Sequence, residues 1–157
     1  MSTQGVYDKI NSKIKKAEEI LLQLGYETVG LSSEEFYDYM TGETPTGDVV
    51  TINDVLDNEF FMVHEVAEIN ELKRMGVPIN KHTVIKFYPK VYEAHLTAME
   101  LELTYSLNKR NYEWLKHRLR DVKHELEGSC LPQEFSYLQK KFASRWDAII
   151  KKFGMFY

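Results

Sequence analysis

The residues best suited to chemistry lie in one segment near the middle of the chain, where two glutamates follow a histidine. His64, Glu65 and Glu68 stand among several large apolar side chains. At about 100° per residue, those apolar side chains surround the helix almost completely, which predicts a central, buried helix. A buried carboxylate must be paired, protonated or bound to a metal. Because residues 17–72 contain no lysine or arginine that could pair with these carboxylates, a metal site is a candidate.

A second candidate group lies further along the chain. His95, Ala98 and Glu102 are spaced by three and four residues, so they share one face of a predicted helix. If the two helices pack antiparallel, this face meets the first group. Imidazole and carboxylate groups from two helices suit Mn²⁺, Fe²⁺ or Zn²⁺, and an all-oxygen set would suit Mg²⁺. The predicted metal ligands are His64, Glu65, Glu68, His95 and Glu102.

The spacing of His64, Glu65 and Glu68 can be compared with known catalytic motifs. It lacks the second histidine of the zinc-protease pattern His-Glu-x-x-His, which argues against that motif. The run His64-Glu65-x-x-Glu68 resembles the Glu-Glu-x-x-Glu helix of all-α nucleotide pyrophosphohydrolases of the MazG type, with histidine in place of the first glutamate. It also resembles di-iron carboxylate bundles, without their Glu-x-x-His repeat. A metal ion held by these residues could activate water for hydrolysis or hold a phosphate, so we expect a metal-dependent hydrolase of a nucleotide or another phosphorylated substrate. Glu65 and Glu68 are the predicted catalytic residues, one of them orienting or deprotonating the attacking water.

A basic helix offers a different function. Arg110, Asn111 and His117 resemble the pattern of HEPN ribonucleases, which are all-α domains of similar length. The resemblance implies that the arginine holds a phosphate and the histidine acts as an acid or base.

A third interpretation requires no catalysis. His64 and Glu68 stand four residues apart and could simply hydrogen-bond to each other inside the core. The chain would then be a helical interaction module.

Composition limits the classes of protein to consider. The 157 residues are 43% hydrophobic and carry a net charge of −4, so we expect a folded chain that is not a general binder of nucleic acid. The single cysteine, Cys130, excludes an intrachain disulfide framework and a cysteine-based zinc site. No apolar run is long enough to span a membrane, and the N-terminus lacks the features of a signal peptide. We expect a cytoplasmic protein that does not bind membranes.

The elements that must position the candidate residues are helical throughout. Apolar periodicity, together with glycine and proline positions, predicts one all-α domain over residues 1–157, a bundle of five or six helices. Pro89 is expected to kink the fourth helix or to split it. The last helix carries large aromatic side chains, and we expect a homodimer that forms through such aromatic helices. The predicted helices span about 10–24, 33–40, 51–75, 81–108, 112–127 and 132–153.

Overall fold

A computed structural model describes residues 3–45, 51–127 and 131–155 of the chain. These residues form nine α-helices and one short 3-10 helix, Gln133–Phe135, and they contain no β-strand. The predicted all-α class is confirmed, whereas the predicted number of five or six helices is wrong. The α-helices are α1 (Thr3–Gln23), α2 (Ser33–Thr41), α3 (Ile52–Leu56), α4 (Glu59–Arg74), α5 (Thr83–Lys86), α6 (Tyr88–Asn108), α7 (Tyr112–Glu127), α8 (Tyr137–Lys141) and α9 (Ala143–Gly154).

The number differs because three of the predicted helices are divided. Asn58 begins α4 as its N-cap, since its side chain accepts hydrogen bonds from the backbone N–H groups of Phe60 and Phe61. Pro89 lies in the first turn of α6, where its missing N–H costs no helical hydrogen bond. The expected kink is therefore a boundary between α5 and α6. The last predicted helix is divided into the 3-10 helix, α8 and α9.

Several helix ends follow directly from the sequence. Ser32 and Glu35 form the capping box that begins α2. Gly25 adopts a φ of 84° after α1, and the next backbone N–H donates to the carbonyl of Leu21. Helix α6 ends with the same arrangement, in which Arg110 adopts the left-handed conformation with a φ of 56°. An arginine adopts that conformation less favourably than a glycine does.

Helix α6 lies between two hydrophobic cores and contributes to both. In the first core, residues of α6 pack with residues of α1, α2, α3 and α4. In the second core, other residues of α6 pack with residues of α7, α8 and α9. Ala94 and Ala98 are fully buried on the side of α4, where their small side chains allow the two helices to approach closely. Leu96 and Leu103 are fully buried on the other side. The faces of α4 and α6 that meet carry the candidate site.

The aromatic face of the C-terminal segment packs inside the chain. Trp146 and Phe153 of α9 are buried in the second core, and Trp146 donates a hydrogen bond to the hydroxyl of Tyr92. These buried side chains are therefore not available as a dimer interface. The homodimer itself stays a prediction. None of the described helices is long and apolar enough to cross a membrane. Cys130 lies outside the described residues.

Candidate metal centre

Three donor atoms from α4 and α6 converge on one point. The Nε2 atom of His64 lies 2.9 Å from Nδ1 of His95 and 3.5 Å from Oε1 of Glu68. Nδ1 of His95 and Oε1 of Glu68 are 3.0 Å apart. Tetrahedral ligands bound to zinc at about 2.0–2.1 Å lie about 3.3 Å from one another. The three atoms are therefore spaced within a few tenths of an ångström of a metal-binding arrangement, and they are the one such group among the described residues.

The pairing of the two helices brings these residues together. His64 contacts both Glu102 and His95, whereas Glu68, one turn later on α4, contacts only the earlier residue, His95. The two helices therefore run in opposite directions, which is the arrangement under which the two groups are expected from the sequence to meet. His64, Glu68 and Glu102 are almost completely buried, while His95 is 30% exposed.

The ring of His64 is oriented by a carboxylate behind it. Its Nδ1 atom lies 2.9 Å from Oε1 of Glu102, and because a carboxylate only accepts hydrogen bonds, Nδ1 carries the hydrogen. In the neutral ring this leaves the lone pair on Nε2, the atom that faces His95 and Glu68. Metal-ligating histidines are commonly held by a carboxylate in this way.

Glu102 is itself held by groups on α7. The Nε atom of Arg118 donates to its Oε2 at 2.7 Å, and Nη2 donates to its Oε1 at 3.0 Å. The indole N–H of Trp114 donates to the same Oε2 at 2.7 Å. With His64, four hydrogen bonds therefore converge on this one carboxylate, which fixes both of its oxygens.

Glu68 is fixed from the opposite side of the site. The hydroxyl of Tyr39 on α2 donates to its Oε2 at 2.5 Å, which leaves Oε1 facing the two histidines. No described buried side-chain nitrogen or oxygen lacks a hydrogen-bond partner. The donors are thus arranged by surrounding residues as well as by their own helices.

The electrostatics of the cluster follow from burial and close pairing. Burial by itself lowers the pKa of His64, but its hydrogen bonds to Glu102 and Glu68 outweigh this and raise the pKa to about 10. Burial raises the pKa of Glu102, but His64 and Arg118 bring it down to about 2. Burial opposes ionisation of Glu68 as well, yet the two histidines hold its pKa well below the usual range. Without a metal, a proton therefore remains on His64, and a metal ion would displace it.

Glu65 lies beside these groups without a direct hydrogen bond to them among the described contacts. Burial and the neighbouring charge of Glu68 raise the pKa of Glu65 well above its usual range. Its side chain lines the same cavity as the three donor atoms. A carboxyl group in this position could exchange a proton with a water molecule bound there.

A cavity with a volume of about 620 Å³ opens onto the three donor residues. Side chains from α2, α4, α6 and α7 line it, so access to the site does not require the helices to separate. Much of the wall is apolar or aromatic, and the remainder includes carboxylates, histidines and Arg118. The apolar and aromatic lining residues are Tyr39, Met40, Val55, Phe61, Val84, Tyr88, Val91, Tyr92 and Met99.

The structure thus brings all five predicted ligand residues to one place, but it distributes them over different positions. His64, Glu68 and His95 present converging atoms, Glu65 lines the cavity, and Glu102 stands behind His64. The ligand and catalytic roles stay predictions.

The sequence did not indicate which residues hold Glu102 and Glu68 in place. Arg118 and Trp114 approach from α7, and Tyr39 approaches from α2. Helix α7 has an amphipathic pattern, and nothing in that pattern indicates that the charged side chain of Arg118 is largely buried. A clue was the surplus of carboxylates, because a buried acidic group without a local cation needs a distant one.

The residues of the ribonuclease-like pattern have structural positions at a helix junction. Arg110 ends α6, and the side chain of Asn111 accepts a hydrogen bond from the backbone N–H of Trp114 at the start of α7. His117 is exposed on α7 beside the ring of Trp114.

Comparison with known proteins finds no family model, no curated protein and no solved structure that matches the chain.

Proposed function

We propose that the chain is a metal-dependent hydrolase with one divalent ion bound by His64, Glu68 and His95. The observation that supports this most directly is the convergence of their three donor atoms, 2.9–3.5 Å apart, at the wall of a cavity. Three protein ligands and a fourth position open to water are the usual composition of a catalytic zinc site.

The donor types narrow the choice of metal. Mg²⁺ prefers oxygen ligands, whereas two of the three converging atoms are imidazole nitrogens. Zn²⁺, Fe²⁺ and Mn²⁺ all accept this set, and two histidines with one glutamate are the ligands of several zinc hydrolases. Zn²⁺ is therefore the first ion to test.

Each residue of the cluster receives a distinct role in this proposal. A divalent ion held by His64, Glu68 and His95 would lower the pKa of a bound water to about 7 and so supply a nucleophile near neutral pH. Glu65 in its ionised form would accept a proton from that water, because it lines the cavity directly beside His64 on α4 without serving as one of the three donors. Glu102 and Tyr39 are positioning residues that orient His64 and Glu68.

Metal content and thermal stability test this proposal. The tag-free protein loaded with Zn²⁺ should retain about one ion per chain, and chelation should lower its Tm because the ion binds only the folded state. His95→Ala is the informative variant, since His95 is the one partly exposed residue of the three donors. It should lose the bound ion and the chelation-dependent change in Tm.

His117→Ala is the matched control, because His117 is an exposed histidine outside the cluster. It should retain the ion. Absence of bound metal in the native protein, or equal metal affinity in His95→Ala, would contradict the proposal. If RNA cleavage were lost in His117→Ala and unaffected by chelation, the ribonuclease alternative would hold instead.

A second candidate function follows from the same donor set. Two histidines and one carboxylate also bind Fe²⁺ in non-haem oxygenases. Oxygen consumption by the Fe²⁺-loaded protein, absent from the Zn²⁺-loaded protein, would identify this activity. The position of Glu65 beside the donors favours hydrolysis, because a hydrolase needs a base for the attacking water.

A further inference from the structure

The charges around the cavity differ from those of a phosphate-binding site. Glu65, Glu68, Asp121 and Glu125 contribute carboxyl groups to its lining. Arg118 is the one lysine or arginine among the described residues that line it. Phosphate sites normally rely on several cations or on helix N-termini, so this excess of carboxyl groups is unfavourable for an anion.

The single arginine is already engaged by two carboxylates. Its Nε and Nη2 atoms donate to Glu102, and its Nη1 atom donates to Asp121 at 3.1 Å. The guanidinium also lies 5.1 Å from the centre of the Phe61 ring. A phosphate that approached Arg118 would have to compete with groups that hold it in place.

The described residues on the α2–α4 side of the cavity contribute no lysine or arginine to its lining. Residues 17–72, which include α2, α3 and most of α4, contain no lysine or arginine. Only one group of converging metal ligands occurs among the described residues, so a second metal ion is not available to neutralise a phosphoryl group there. Hydrolysis of a phosphate ester develops charge on several oxygens and depends on metal ions or cationic side chains to stabilise it.

The arrangement matches the needs of carbonyl chemistry. Attack on a carbonyl develops one negative oxygen, which a single metal ion can stabilise. Glu68 stands four residues after His64, at the place of the second histidine in the zinc-protease pattern, and His95 restores the second imidazole. Glu65 directly follows His64, which is the position of the general base in that pattern.

We propose that the substrate is a neutral or cationic compound with an amide or ester carbonyl, and that its apolar part lies against Phe61, Tyr88 and Tyr92 in the cavity. This inference rests on the proposed hydrolase function. Carboxylates and aromatic rings on the same wall suit a positively charged group.

The reaction is a hydrolysis that needs only water as co-reactant. An ion held by the three donors would activate a water molecule, Glu65 in its ionised form would take one proton from that water, and the water oxygen would form a bond to the carbonyl carbon. The bond from that carbon to the leaving nitrogen or oxygen then breaks. The leaving group takes its electron pair together with the proton from Glu65, so the products are a carboxylic acid and an amine or alcohol.

Three hydroxamates of equal ring size test the charge preference of the Zn²⁺-loaded protein. Hydroxamates bind zinc through two oxygens, so the probes can be benzohydroxamate and its para-aminomethyl and para-carboxy derivatives. Calorimetry should show that the neutral and cationic probes bind at least about tenfold more tightly than the anionic probe. An excess of inorganic phosphate should not displace them.

Glu125→Gln and Glu127→Gln form a matched pair of variants on α7. Glu125 lines the cavity, whereas Glu127 is exposed outside it. Glu125→Gln should reduce the preference for the cationic probe over the anionic one by a few-fold, and Glu127→Gln should leave it unchanged.

The possible failures are distinguishable. Tightest binding of the anionic probe, or displacement by phosphate, would overturn the substrate inference while leaving the metal site intact. Equal affinity of every probe for the Zn²⁺-loaded and the chelated protein would overturn the proposed function, and the inference with it.

Discussion

Replacing Glu102 by glutamine separates two roles that this residue could have. As a metal ligand it would contact the ion directly, whereas as a positioning residue it would act only through His64. Its carboxylate accepts hydrogen bonds from His64, Trp114 and Arg118, which occupy both oxygens. Glu102 is therefore assigned as a positioning residue, and Glu102→Gln keeps its shape while removing its charge.

The expected loss of metal affinity is intermediate. Substituting a residue that orients a metal-ligating histidine typically weakens binding 10–100-fold, about 1.4–2.7 kcal/mol. Stability should fall as well, because Arg118 is largely buried and would retain only Asp121 as an ionic partner. For a buried pair that loses one charge, we expect the free energy of unfolding of the chelated protein to fall by about 2–4 kcal/mol. Most domains of this size can lose that amount and remain folded.

Competition with a chelator of known zinc affinity gives the Kd, and urea unfolding of the chelated protein gives the stability. Glu100→Gln is the control, because Glu100 lies on the same helix, is exposed and pairs with Lys152. It should change neither quantity by more than a small amount.

Two results would refute this reasoning. If Glu102→Gln lost as much affinity as His95→Ala, Glu102 would be a direct ligand, as the sequence alone had predicted. If it kept the native Kd, the hydrogen bond to His64 would have no part in preparing the site.

Three further substitutions test the supporting structure. Tyr39→Phe removes the hydroxyl that donates to Glu68, so the chelated protein should lose about 1.5–3 kcal/mol in urea unfolding, and an unchanged value would exclude this hydrogen bond. Arg110→Gly relieves a φ of 56° and should raise the free energy of unfolding by about 0.5–1 kcal/mol; a decrease would contradict the assigned backbone. Gly42→Ala would place a Cβ atom in steric overlap with the carbonyl oxygen of Lys81, so thermal unfolding should show a loss of about 1–3 kcal/mol, and native stability would contradict that close approach.

The local signals in the sequence predicted which segments are helical. They did not predict where a long helical segment is interrupted. Ser32 with Glu35, and Gly25 after α1, act over a few residues and give the expected helix ends. Asn58 was harder to recognise, because an asparagine inside an apolar run can be either an N-cap or a solvent-exposed helical residue. Its capping hydrogen bonds decide the matter by separating α3 from α4.

The centre of the site was predictable because its residues repeat at helical spacing. His64 and Glu68 share one face of α4, and His95 and Glu102 share one face of α6, so a single antiparallel contact brings all four together. Arg118 was not predictable in the same way, because its contact with Glu102 depends on how α7 packs against α6.

Asn70 is a polar residue of α4 whose side chain is completely buried. The amide donates to the carbonyl of Val66, and its oxygen accepts a hydrogen bond from the backbone of Val29. A segment that crosses a helix can thus bury a polar residue, which the periodicity of that helix alone does not reveal.

Anomalous diffraction at the zinc absorption edge, from crystals of the Zn²⁺-loaded protein, tests the central claim most directly. We expect one strong peak about 2.0–2.2 Å from Nε2 of His64, Nδ1 of His95 and an oxygen of Glu68. The absence of a peak there, or a peak only at exposed histidines such as His117 and His124, would contradict that claim.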